Sequence, residues 1–150
     1  MTKLEALKVL FVDDEIDFLE TLMKRMKKRG VEVAGVGSGE EALDYLNKKP
    51  VDVVVLDVRM PGIDGIKALR EIKKIDPLVE VIMLTGHASI EAAIEGMASG
   101  AFDYLMKPAD FDELLYKLQD AFKRRTIQKQ KIEKLGNLKL TDQKKGAILT

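Results

Sequence analysis

The chain has 150 residues, 46% of them hydrophobic and 33% charged, and its 25 basic and 25 acidic side chains cancel to a formal net charge of zero. This is about one domain of ordinary globular composition, and the absence of cysteine excludes a disulfide framework and a thiolate metal site. No apolar run approaches the roughly 20 residues of a membrane span, and the start, charged at Lys3, Glu5 and Lys8, does not resemble a signal peptide, so a cytoplasmic protein is expected.

Along the chain, five short apolar runs alternate with amphipathic stretches. "KVLFV" (Lys8 to Val12) precedes a helical pattern in which Ile16, Leu19, Leu22, Met23 and Met26 recur at three- and four-residue spacing, stopped by Gly30. "VEVAGV" (Val31 to Val36) alternates like a more exposed strand, and "SGEEALDYL" opens a second helix with Ser38 and Glu41 spaced as a capping box. "VDVVVL" (Val51 to Leu56) is the third strand; "DGIKALREIKKI" is the third helix, with Asp64 as its cap and Asp76-Pro77 as its end. "EVIML" is the fourth strand, "SIEAAIEGMASG" a helix ended by Gly100, and "AFDYLM" the fifth strand. "DFDELLYKLQDAFKRR" closes the series, with Asp110 and Glu113 spaced as another cap pair.

Charge divides the chain near residue 122. From Lys123 onward there are nine Lys or Arg and two acids, so a segment of net +7 follows a body of net −7. The apolar periodicity weakens at the same place, which predicts a body over 1–122 and a basic helical extension or linker over 123–150. Ile127, Ile132 and Leu135 are the extension's apolar anchors, a thin signal for a coiled coil. With no aromatic interleaving or groove-binding motif, direct nucleic-acid binding ranks last among its uses.

Strict alternation of strand and helix implies an α/β fold, doubly wound about a parallel sheet with helices on both faces. The first, third, fourth and fifth runs are continuously apolar, as central parallel strands are, and the more polar second run suits an edge. Ligands of such folds sit beyond the carboxyl ends of the strands. Those ends carry Asp13, Asp14 and Glu15 after the first strand, Asp57 after the third, Thr85, Gly86 and His87 after the fourth, and Lys107 and Pro108 after the fifth.

Taken singly, these residues have bland readings. Asp13 and Asp14 could cap the first helix, Thr85 could be a turn residue, Lys107 a solvated lysine and Asp57 another cap. Together they bring carboxylates, a hydroxyl and an ammonium to one rim. Packed carboxylates repel unless a cation intervenes; an all-oxygen donor set without His or Cys suits magnesium, which keeps several waters and binds phosphate oxygens. A carboxylate beside such a cation can attack a phosphoryl group, with Lys107 and the Thr85 hydroxyl balancing the charge on the equatorial oxygens. Rival chemistries lack their residues. "VDDEID" has no dinucleotide glycines, "GVGSGEEA" has no P-loop Lys-Ser/Thr, and Arg59 stands where a haloacid-type phosphatase would have a second Asp.

"VLFVDDE", "VVVLDVRMPGIDG", "VIMLTGHAS" and "AFDYLMKP" together resemble the signature blocks of the response-regulator receiver domain of two-component signalling, over about residues 5 to 124. "IEAAIEGMASGAFDYLMKP" is most similar to receivers of enhancer-binding transcriptional activators. The resemblance implies a flavodoxin-like receiver fold with five helices and strand order 2-1-3-4-5. It also implies Mg2+ as cofactor, a sensor histidine kinase as phosphodonor, and a downstream effector protein or domain. By matched position, Asp57 is the phosphoacceptor, Asp13 and Asp14 bind the metal together with Asp57 and the main-chain carbonyl of Arg59, and Thr85 and Lys107 bind the phosphoryl group. Tyr104 is the aromatic switch partner of Thr85, Arg59 and His87 tune phosphoryl lifetime, and the Lys107–Pro108 bond is cis. Such a chain is a signalling phosphoacceptor that promotes only its own phosphotransfer and autodephosphorylation. It can dimerise through the face made by the fourth helix, fifth strand and fifth helix, or through the C-terminal helix. Two alternatives stand beside this: the regulatory part of a longer transcriptional activator, and a receiver-shaped interaction module that works without phosphorylation.

Overall fold

The computed structural model describes residues 7–58, 64–85 and 90–149. Strand and helix alternate as β1 (Lys8–Val12), α1 (Ile16–Lys28), β2 (Glu32–Val36), α2 (Gly39–Lys48), β3 (Val53–Asp57), α3 (Gly65–Ile75), β4 (Glu80–Thr85), α4 (Ile90–Ala98), β5 (Asp103–Met106) and α5 (Phe111–Leu149). The strands form one parallel sheet in the order β2-β1-β3-β4-β5, as expected.

The period-2 alternation of strand side chains sorts the sheet's residues onto two apolar layers. Val9, Phe11, Val53, Val55, Ile82 and Leu84 point to one face, where α1 and α5 cover them with Leu19, Leu22, Met26, Leu114 and Leu118. Leu10, Val12, Val54, Leu56, Val81 and Met83 point to the other, under Ala42 and Leu46 of α2 and Leu69 and Ile72 of α3. Because β3 and β4 are buried along their whole length, they read as unbroken apolar runs. The half-exposed β2 is at an edge, as its polarity predicts. β5 forms the opposite edge, as the expected strand order places it, although its apolar run reads like a central strand; Tyr104 and Met106 are exposed on it. Ile16, counted in the apolar stripe of α1, is 64% exposed instead of buried.

The expected cap residues Ser38, Asp64 and Asp110 each accept a bond from the first turn of the helix they precede. The Ser38 hydroxyl accepts from the Glu41 N–H at 3.2 Å, and Glu41 reaches back to the Gly37 N–H at 2.6 Å, one residue earlier than an ideal capping box. Asp64 accepts from the Lys67 N–H at 2.9 Å, and Asp110 from Asp112 and Glu113 at 2.8 and 3.2 Å. Gly30 and Gly100, which follow α1 and α4, adopt φ of 84° and 105°, a region that favours glycine.

The last helix continues the expected extension without a break to Leu149, and its first two arginines are tied to the body. Arg125 donates to Asp52 at 3.1 Å and to Asp76 at 3.2 Å, with its side chain only 10% exposed. Arg124 Nε lies 3.0 Å from the buried Glu80 Oε2, yet that oxygen has no aligned hydrogen-bond donor. Burial therefore pushes the Glu80 carboxyl above its ordinary range, against the pull of Arg124 and Lys73; burial also lowers the Lys73 ammonium, although Glu80 opposes it. Asp52, Asp76 and Glu80 precede or begin β3 and β4, so this network sits at the amino ends of the strands, opposite the carboxyl-end rim. Beyond it, Ile127, Ile132, Leu135 and Leu138 are exposed. Among the described residues, no helix is long and apolar enough to cross a membrane.

Candidate phosphoacceptor site

Sheet register assembles the rim. Val12 of β1 is level with Leu56 of β3, so Asp13 and Asp57, the next residue of each, emerge side by side. Asp57 is level with Leu84, which sets Thr85 one residue further out, and Thr85 is level with Met106, directly before Lys107. The Lys107 N–H extends this pairing by donating to the Thr85 carbonyl at 2.7 Å. The Lys107–Pro108 bond is cis, as expected.

Asp13 and Asp57 are buried, at 3% and 4% exposure, and Thr85 is buried beside them. Asp14 faces solvent. Oxygens of Asp13, Asp14 and Asp57 lie within 4.8 Å of one another, a donor set that can hold a metal ion. Two buried carboxylates and one open to water suit a hard cation that retains part of its hydration shell. The bland reading of the first pair is met only in part. Asp13 Oδ1 does accept the Glu15 N–H at 2.9 Å, but Asp13 keeps its other oxygen for Lys107, and the N-cap residue of α1 is Glu15, without a side-chain cap bond.

Lys107 is the counter-charge. Its ammonium stands 2.8 Å from Asp13 Oδ2, 3.2 Å from Glu15 Oε1 and 3.6 Å from Asp57 Oδ2, with 13% of the side chain exposed. Burial would lower its pKa, but the hydrogen bond and charge of Asp13, then Asp57 and Glu15, outweigh burial and raise it above the ordinary lysine value. Lys107 is thus a cation under the conditions at which Asp57 would meet a phosphoryl donor.

The structure therefore brings together Asp13, Asp14, Asp57, Thr85 and Lys107. Tyr104 is 41% exposed on β5, level with Met83 and two residues along the ladder from the Thr85 pair. Arg59 and His87, expected as metal ligand and lifetime tuners, lie outside the described residues. Sequence reasoning gave Glu15 no role, although it was noted after the first strand, and passed over Phe18, whose ring centroid lies 4.6 Å from the Lys107 ammonium. A short apolar position one turn into the first helix was the available signal.

Comparison with known proteins gives one consistent result. A model of the "Response regulator receiver domain" matches residues 9–119. The transcriptional regulatory protein ZraR of Escherichia coli O157:H7 is 41% identical over 113 residues, which are 75% of this chain and 26% of that protein. The regulatory protein AtoC of Escherichia coli K12 is 37% identical over 95% of this chain and 31% of its own length. The chain thus spans between a quarter and a third of these relatives. Among solved structures, the receiver domain of Francisella response regulator 1452 superposes with a TM-score of 0.73 at 36% identity, covering 78% of this chain and 97% of that one. NtrX from Brucella abortus superposes at 0.78 and 31% identity, over 85% of this chain and 29% of its own.

Proposed function

The chain belongs to the response regulator receiver domain family, and on that premise we propose that Asp57 is the phosphoacceptor and that its phosphorylation switches a protein-interaction surface. One observation carries the assignment: a buried carboxylate at the end of a central strand, with a buried hydroxyl one residue further out on the next strand and a lysine ammonium 3.6 Å away. An Asp57 oxygen attacks phosphorus, the bond from phosphorus to the kinase histidine nitrogen breaks, and Asp57 becomes a mixed anhydride. Lys107 and the Thr85 hydroxyl meet the charge on the equatorial oxygens. Asp13, Asp14 and Asp57, with the Arg59 carbonyl, are the residues to hold Mg2+, which supplies charge neutralisation at the phosphoryl oxygens. Autodephosphorylation by water resets the switch, tuned by Arg59 and His87.

Tyr104 lies outward on the edge strand, where it can turn inward as Thr85 moves to the phosphoryl group. The rearranged α4–β5–α5 face then changes its affinity for an effector or a second copy. A histidine kinase is the donor, and a cytoplasmic location suits that exchange.

Radiolabelled acetyl phosphate with magnesium should label the wild type in an acid-labile manner and leave Asp57→Asn unlabelled. Equal labelling of the variant would remove the assignment. Beryllium fluoride should raise the melting temperature of the wild type alone.

A second reading concerns context. Because relatives about three times as long align over 75% and 95% of this chain, we also propose that it acts as the regulatory part of a longer transcriptional regulator. The receiver body over 1–122 then connects to its output through the basic helical extension over 123–150. Light scattering with and without beryllium fluoride, on the whole chain and on one shortened to residue 126, tests this. A phosphate-dependent dimer that needs the extension supports a linker helix; a monomer throughout counts against it.

A further inference from the structure

Lysine is a point charge on a flexible four-carbon stem, so its position depends on its surroundings. Four groups converge on the Lys107 ammonium: Asp13, Glu15, Asp57 and the face of the Phe18 ring. Three are carboxylates, and none of the three is a stable holder during phosphoryl acceptance. Asp13 and Asp57 belong to the acidic triad whose oxygens a cation would draw on. Glu15 is 65% exposed, so water screens its pull. Without a further holder the ammonium would follow its nearest acid, Asp13, in preference to Asp57.

The ring differs in kind. An aromatic face attracts an ammonium through its quadrupole when the cation lies within about 6 Å of the centroid. It competes for no carboxylate lone pair, and it leaves the ammonium's N–H donors free for incoming oxygens. Phe18 is itself fixed, half-buried in the first turn of α1 and packed against the apolar layer shared by α1 and α5. Asp13, Glu15 and the ring come from one continuous segment, residues 13 to 18, whereas Asp57 reaches the ammonium from β3.

We propose that Phe18 is a positioning residue for phosphoryl acceptance, its ring face holding the Lys107 ammonium at the Asp57 rim. This rests on the assignment of Asp57 and Lys107 above.

The test uses the full chain with mono-, di- and trifluorophenylalanine incorporated at position 18 alone. Fluorine withdraws electron density from the ring face with little change of shape. The readout is the rate of labelling by radiolabelled acetyl phosphate with magnesium. In that reaction the acyl phosphate's phosphorus–oxygen bond breaks, a bond to an Asp57 oxygen forms and acetate leaves. The labelling rate should fall stepwise with each fluorine. It should fall about fivefold in Phe18→Leu and be retained in Phe18→Trp, while magnesium affinity by calorimetry stays constant. In a Lys107→Met background the fluorine series should be flat. If that background labels as fast as wild type, the role of Lys107 is wrong. If it labels slowly and the series on the wild-type background is flat, Phe18 alone is refuted. Should Phe18→Leu fail to fold, the near-isosteric series still decides.

Discussion

Replacing Arg125 tests whether the last helix is bound to the body by charge. Its guanidinium bridges Asp52 and Asp76, at 3.1 and 3.2 Å, from a side chain 10% exposed; the two acids are 21% and 30% exposed. Arg125→Met keeps the apolar stem and removes the fork. Stranding a fully buried partner costs about 3–5 kcal/mol, whereas an exposed pair contributes about 0–1 kcal/mol. Carboxylates that still reach water fall between these limits, at about 2 kcal/mol, which for a chain of this size lowers the melting temperature by about 4–8 °C. Lys should restore less than half of the loss, since one ammonium cannot fork between two acids. Urea unfolding at neutral pH, with Asp76→Asn closing a double-mutant cycle, measures the coupling. A loss below about 0.5 kcal/mol, or full additivity in the cycle, would show that the bridge is a solvated contact and refute the reasoning.

Two further perturbations test other links. Burial raises the Glu80 carboxyl pKa, so the folded state binds this proton more tightly than the unfolded chain does; Glu80 then erodes stability as pH rises from the ordinary carboxylate range through its folded value. Glu80→Gln should gain stability relative to wild type between pH about 4 and pH about 7, and a pH-independent difference in urea midpoints would contradict this. At Gly65, a Cβ would come within 2.6 Å of the Val58 Cα and 2.8 Å of the Val58 carbonyl oxygen, directly after Asp57. Gly65→Ala should cost about 1–3 kcal/mol and slow acetyl phosphate labelling; unchanged labelling would separate this turn from the site.

Much of the fold was legible because each strand met one environment. β3 and β4 are buried on both faces and read as unbroken apolar runs, and β2 is half-exposed and reads as alternating. Capping residues were legible because their bonds are local, as at Ser38, Asp64 and Asp110. β5 misled because Tyr104 and Met106 are exposed at an edge, and large apolar side chains at an exposed edge look like core residues in sequence. The rim residues were legible from their place after each strand. What sequence could not supply was side-chain direction: Phe18 faces Lys107 while Ile16 is exposed, and either fits a helical stripe. Arg124 and Arg125 read as tail charge because their acids are 44 to 73 residues away in the chain, beyond the reach of any local pattern.

The arginine bridge also sets a rotational phase. With Arg125 pinned to the body, every later residue of α5 has a defined azimuth around the helix axis, advancing about 100° per position. One residue inserted after Thr126 would swing Ile127, Leu135 and Leu138 by about 100° relative to the sheet without altering their mutual spacing, whereas seven would return them to within about 20°. Any partner that reads this stripe together with the receiver face should therefore tolerate insertions of two turns and fail with single ones.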